Sequence, residues 1–166
     1  MKNLSLVASF IAATLALGAT SAASAATTST TLAASTTVAA KCNSLTATAI
    51  AFDAYEPDAA AASTKSTTIT AYCTKGTPLT VSLDKGANGA STSARKLLLS
   101  GGSDELSYQL YSDVNAATVW DDNSGKVSGT GNGLNQLSYT VYGKIPAKQD
   151  VSPGSYADSV QVTVTY

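Results

Sequence analysis

The chain has 166 residues with 10 basic and 11 acidic side chains, a formal net charge of −1, and no histidine. That balance leaves no basic field for nucleic acid or an anionic membrane; without His, Ser-His-Asp and Cys-His nucleophiles are excluded and the commonest metal ligand is missing. Hydrophobic residues make up 44%, but 29 of them are Ala against two Phe and one Trp, and charged residues are only 13%, about half the usual share, a balance that suits an extracellular β protein better than a metabolic enzyme.

Residues 1–25 read as an export signal. Lys2 supplies the positive start, Leu4 to Leu17 the apolar run, and Ala23-Ser24-Ala25 a small-x-small cleavage site, so the mature chain is expected to begin at Ala26. The run is too short to span a bilayer of about 30 Å, and no second apolar segment follows it. No membrane contact is expected after cleavage. Two cysteines follow, Cys42 and Cys73. Behind a signal, an even pair reads as one disulfide, worth about 3–4 kcal/mol for a loop of this length. Two Cys without His build no standard zinc site, and the pair is not CxxC.

Residues 26–41 have no Gly, no Pro and one charge. Thr-rich sequence favours extended backbone. One parity carries Thr30, Leu32, Ala34, Thr36 and Val38; the other carries Thr31, Ala33, Ser35 and Thr37. The segment is a thin, mildly amphipathic strand with no local partner, and on composition alone it reads as a disordered low-complexity tail.

Further on, alternation is clean. Ile69, Ala71 and Cys73 oppose Thr68, Thr70 and Tyr72. Leu79, Val81 and Leu83 form the next set, then Leu106, Tyr108 and Leu110, then Tyr139, Val141 and Ile145 within 137–145. Val160, Val162, Val164 and Tyr166 alternate with Ser159, Gln161, Thr163 and Thr165. These are strands with one buried face. Turn chemistry separates them: Lys75-Gly76-Thr77-Pro78, Gly101-Gly102, Asn123-Ser124-Gly125, Asn132-Gly133 and Ser152-Pro153-Gly154. No helical period follows Ala26. The pattern predicts an all-β, immunoglobulin-sized sandwich.

Candidate chemistry is thin. Asp121 to Gly125 offers the oxygens of a calcium loop without the remaining ligands, and reads better as a surface turn. Gly129 to Gly133 resembles a nucleotide loop but no helix follows it. Asp53/Glu56 and Asp104/Glu105 are possible carboxylate pairs. Tyr55, Tyr72, Tyr111, Tyr142 and Trp120 could form a sugar platform, although sheet aromatics are more often core. No enzyme, cofactor or metal is expected. The alternation still runs at Tyr166, where a complete seven-stranded sandwich needs another strand, while the N-terminus carries a spare one. The pair suggests completion between molecules by β-strand addition.

One stretch of likeness spans Val38 to Tyr166. It is carried by Cys42, Phe52-Asp-Ala-Tyr55-Glu-Pro57, Tyr72-Cys-Thr-Lys-Gly76-Thr and Val81-Ser-Leu-Asp-Lys-Gly86. It continues through Leu106-Ser-Tyr-Gln-Leu-Tyr111-Ser-Asp113, Trp120, Val141-Tyr-Gly-Lys-Ile-Pro146-Ala, Gly154-Ser-Tyr156-Ala-Asp158-Ser-Val160 and Val164-Thr-Tyr166. These residues resemble the spore-coat-protein-U-like domain, the subunit fold of archaic (Csu-type) chaperone–usher pili. Asp53 stands where that family often has Gly. The resemblance implies an incomplete immunoglobulin-like β-sandwich of six strands, the seventh supplied in trans. It implies a domain over 38–166, a donor-strand extension over 26–37, and the Cys42–Cys73 disulfide beside the groove. The donor face would be Leu32, Ala34, Thr36 and Val38. The acceptor groove would lie between a first strand near Val38 to Cys42 and the last strand, with Val160, Val162, Val164 and Tyr166. Implied partners are identical or homologous pilin subunits, a periplasmic chaperone and an outer-membrane usher. The implied place is a cell-surface pilus reached through the periplasm, with roles in surface attachment and biofilm formation. With room for one domain plus a donor, the chain resembles a rod or adaptor subunit rather than a two-domain tip adhesin. The alternative is a secreted spore or cell-surface coat or matrix protein that forms no pili.

Overall fold

The computed structural model describes residues 23–166. The expected signal falls mainly on residues 1–22, outside the described residues. The chain divides into two units, Met1–Thr36 and Thr37–Tyr166. The described part of the first, residues 23–36, is exposed and carries no assigned secondary structure.

The second unit is all β. Nine strands occur among the described residues: β1 (Cys42–Ala47), β2 (Ser63–Cys73), β3 (Pro78–Leu83), β4 (Arg95–Leu99), β5 (Glu105–Tyr111), β6 (Val127–Thr130), β7 (Leu137–Ile145), β8 (Tyr156–Ala157) and β9 (Val162–Thr165). They form a six-stranded sheet, β1-β2-β7-β5-β4-β8, and a three-stranded sheet, β6-β3-β9. All pairings are antiparallel. The alternation predicted an all-β sandwich, and the architecture is the incomplete immunoglobulin-like one that the resemblance implied, with nine strands in place of six. Five of the nine, β2, β3, β5, β7 and β9, match strands expected from alternation; β4, β6 and β8 are additional, and β1 is displaced from its expected place. β4 ends in three consecutive leucines, β6 is short and has one large apolar residue, Val127, and β8 has two residues, so none carries an apolar alternation in its sequence.

The period-2 residues make the core. Ile69, Ala71 and Cys73 of β2, Leu79, Val81 and Leu83 of β3, and Leu106, Tyr108 and Leu110 of β5 are all buried. Val141 and Ile145 of β7 join them. Two side chains bridge the sheets. Trp120, 1% exposed, donates from Nε1 to the Val81 carbonyl at 2.9 Å, while its own N–H donates to the Leu110 carbonyl at 2.9 Å. Arg95, also 1% exposed, donates to the carbonyls of Asp84 (2.6 Å from Nη2), Leu83 (3.2 Å) and Trp120 (2.8 Å), and to Gln109 Oε1 (2.6 Å). Burial pulls the guanidinium's pKa below its ordinary value, yet the group keeps its proton and satisfies carbonyls that would otherwise be orphaned.

The first strand lies further along than expected. Residues 38–41 carry no strand, and β1 begins at Cys42. Lys41 is tied instead to Thr74, whose N–H donates to the Lys41 carbonyl at 2.8 Å. Within β1 the register slips between Asn43 and Thr46, where Ser44 takes φ 51°. Cys42 lies directly opposite Cys73 in the ladder, and the two form a disulfide.

Candidate functional site

β9 is an edge strand. It pairs with β3, Val162 opposite Leu83 and Val164 opposite Val81, and lies at the margin of its sheet. Beside the chain leading into it an apolar groove of about 690 Å³ opens into the core. Its floor includes Ile69, Leu83, Leu106, Leu110, Val141 and Ile145. An open apolar groove next to a free strand edge is an aggregation hazard unless something covers it.

One lip is the segment Gly154 to Val162. Two carboxylates hold it. Asp84 Oδ1 accepts from the Gln161 N–H at 2.8 Å and from the Gly86 N–H at 2.9 Å. Asp158 accepts from the backbone of Ala87 (2.9 Å) and Asn88 (3.2 Å), from Asn88 Nδ2 (3.0 Å) and from Tyr108 Oη (2.7 Å). Gly86 makes this fit possible. It sits at φ 78°, and a Cβ there would collide with the Asp158 carboxylate. Burial, and then the Asp158 hydrogen bond, pushes the Tyr108 phenol well above its ordinary value.

The other lip is the segment Ala47 to Tyr55. Thr48 anchors one end: its N–H donates to the Thr68 carbonyl at 3.0 Å, and Thr67 Oγ1 donates to its carbonyl at 2.8 Å. Tyr55 anchors the other, its hydroxyl donating to the Pro146 carbonyl at 3.0 Å and accepting from the Gln149 N–H at 2.8 Å. Between the anchors Ile50 and Phe52 turn inward, half-buried against the core. Phe52 meets Tyr108 edge-on, ring centroids 6.4 Å apart. Both rest over Gly143 of β7, where a Cβ would collide with Ile50 Cδ1 and lie 2.6 Å from Phe52 Cζ.

The positions singled out from the sequence fall as follows. Val160 and Val162 line the groove. Val164 packs against the core further along β9, and Tyr166 is 58% exposed. Leu32 and Val38 are 92% and 78% exposed, and Ala34 and Thr36 are exposed too. Trp120 is too deeply buried to stack on a sugar. Asp53 pairs with Lys65 at 2.8 Å, and Asp104 accepts from the Ser152 N–H at 2.9 Å; these carboxylates hold loops. Asp121 Oδ1 closes its own turn by accepting from the N–H groups of Asn123 and Gly125. Sequence reasoning missed Ile50, Gly143 and Arg95. The alternation of Ile50 and Phe52 around Ala51 was the available signal for the first. Nothing local marks the other two.

The fold and the groove together define a two-sheet sandwich with an apolar groove open between two lips, and comparison with known proteins places it. The chain matches the Spore Coat Protein U domain over residues 27–163 and belongs to that family. It is 35% identical over 96 residues to Protein U of Myxococcus xanthus, an alignment covering 57% of this chain and 47% of that protein. The chain thus spans less than half the length of this relative. Among solved structures it resembles a chain of the CsuC–CsuE chaperone–tip adhesion subunit pre-assembly complex from archaic chaperone–usher Csu pili of Acinetobacter baumannii. The TM-score is 0.59 with 22% identity, covering 78% of this chain and 41% of that one. At that identity the likeness speaks for the fold.

Proposed function

We propose that this chain is a structural, non-enzymatic subunit of an extracellular adhesive pilus, exported to the periplasm and polymerising by donor-strand complementation. The mature subunit would comprise the extension 26–37 and the pilin domain 38–166. The single observation that carries the reading is the apolar groove of about 690 Å³ beside β9 in a chain whose residues 26–37 are exposed and carry no assigned strand. Leu32, Ala34, Thr36 and Val38 of one copy would enter the groove of the next, against Val160, Val162, Val164 and Tyr166. Before that, a periplasmic chaperone would cover the groove, and an outer-membrane usher would exchange the two strands. Surface attachment and biofilm formation would follow from the assembled fibre.

Each ladder hydrogen bond would contribute about 1 kcal/mol net, and each fully buried Leu or Val about 1.5–3 kcal/mol. The donor's inward side chains are small, so the backbone ladder carries more of the affinity than the plugs. All ladder bonds must break together, so dissociation is slow. Deleting residues 26–37 tests this: detergent-resistant oligomer ladders should vanish while chaperone binding persists. Ladders from the truncated chain would refute the reading. The family's description as a spore coat domain supports a second reading, a secreted coat or matrix protein without pili, which predicts no ladder from the full chain and no chaperone or usher gene beside its own.

A further inference from the structure

The groove is bounded on one side by chain that belongs to no strand, and Ile50 and Phe52 line it there. Ile50 and Phe52 occupy the space above Gly143 on the core-facing side of β7, in a segment pinned at both ends by Thr48 and Tyr55. Among the described residues, 50–54 make no backbone–backbone hydrogen bond, so this stretch is a plug rather than a strand. We infer that Ile50 and Phe52, seated by Gly143, set the depth of the groove and select a second copy's donor with small side chains at its two central inward positions, Ala34 and Thr36. This rests on the donor-strand reading.

The physical reason is volume. Interiors are close-packed, and extra methylenes force neighbours off their rotamers. A donor with a large central residue must expel Phe52 or Ile50, whereas Ala34 and Thr36 pass over them. The chain's own extension has its larger inward residues, Leu32 and Val38, outside that central pair. Shallow centre and small-centred donor therefore match within one sequence, which favours pairing with its own kind over donors carrying bulky central plugs.

The test is made in the full chain, with the yield of detergent-resistant ladder as readout and the emission of buried Trp120 as a folding check. Ala34→Leu or Thr36→Leu should cut the ladder at least tenfold, while Ser35→Leu, on the outward parity, should stay within twofold. Trimming the plug in the same chain, with Phe52→Leu or Ile50→Val, should restore Ala34→Leu to at least half the parent yield. A ladder unaffected by Ala34→Leu and Thr36→Leu overturns the inference. So does loss that neither trimmed variant repairs, or unfolding of both trimmed variants, which would make the plug fixed core. Failure of the donor-strand reading looks different: the ladder then survives deletion of residues 26–37.

Discussion

The two lips of the groove are held by opposite means. The lip leading into β9 hangs from carboxylates: Asp84 and Asp158 collect backbone N–H groups from 86–88 and 161. The facing lip hangs from two end anchors and an apolar plug. Hydrogen bonds fix backbone position closely, because each has a narrow range of length and angle and losing one strands a partly buried partner. Apolar plugs tolerate volume-conserving change. One lip therefore sets where an added strand must lie, and the other sets how much side chain it can bring.

The largest expected effect comes from undermining the polar lip at its base. Arg95 holds the carbonyls of Leu83 and Asp84. Arg95→Met should destabilise by about 3–5 kcal/mol in urea unfolding, since it leaves several buried acceptors without donors. A change below about 1 kcal/mol would show that water reaches those carbonyls. Next, Asp158→Ala removes the acceptor shared by Ala87, Asn88 and Tyr108, with an expected cost of about 2–3 kcal/mol.

Alkaline pH attacks the same lip. The Tyr108 phenol is raised above its ordinary 10.0 by burial and by Asp158. The folded state thus keeps a proton that the unfolded chain releases near pH 10. That stability is present below pH 10 and falls by about 1.4 kcal/mol per pH unit above it. Tyr108→Phe should flatten the slope, measured by unfolding between pH 9 and 11 (about the range where the unfolded phenol titrates). On the plugged lip the effects are smaller. Tyr55→Phe loses its two hydrogen bonds at one end of this lip, the strap 47–55, and should cost about 1 kcal/mol.

Much of this was legible in the sequence for one reason: strands whose single face is buried advertise it with period two. β2, β3, β5 and β7 did so, and their alternating residues are the core, apart from Tyr139, which packs against it half-buried. The start of β1 was misplaced because its residues are almost all exposed, so no buried parity marks it. The bulge at Ser44 breaks what register there is. The strap was illegible as a strap because Ile50 and Phe52 alternate like a strand but find no ladder partner; only the absent side chain at Gly143, 91 residues away in sequence from Phe52, makes room for them. Arg95 gave no signal, since a lone Arg beside Lys96 reads as surface charge. What the sequence hides is chemistry that depends on two distant segments meeting.

The smallest effect is expected where the strap carries its one ion pair. Lys65 Nζ reaches Asp53 at 2.8 Å, but the two side chains are 41% and 78% exposed. Water and salt screen such a pair, and holding two long side chains costs entropy, so its worth is about 0–1 kcal/mol. Lys65→Ala should therefore leave unfolding nearly unchanged, and the small difference should shrink further in high salt. A clear loss with no salt dependence would mean that Asp53 positions the strap through more than charge. The turn after Phe52 would then join Thr48 and Tyr55 as a third anchor, and the plugged lip would be less adjustable than its apolar filling makes it.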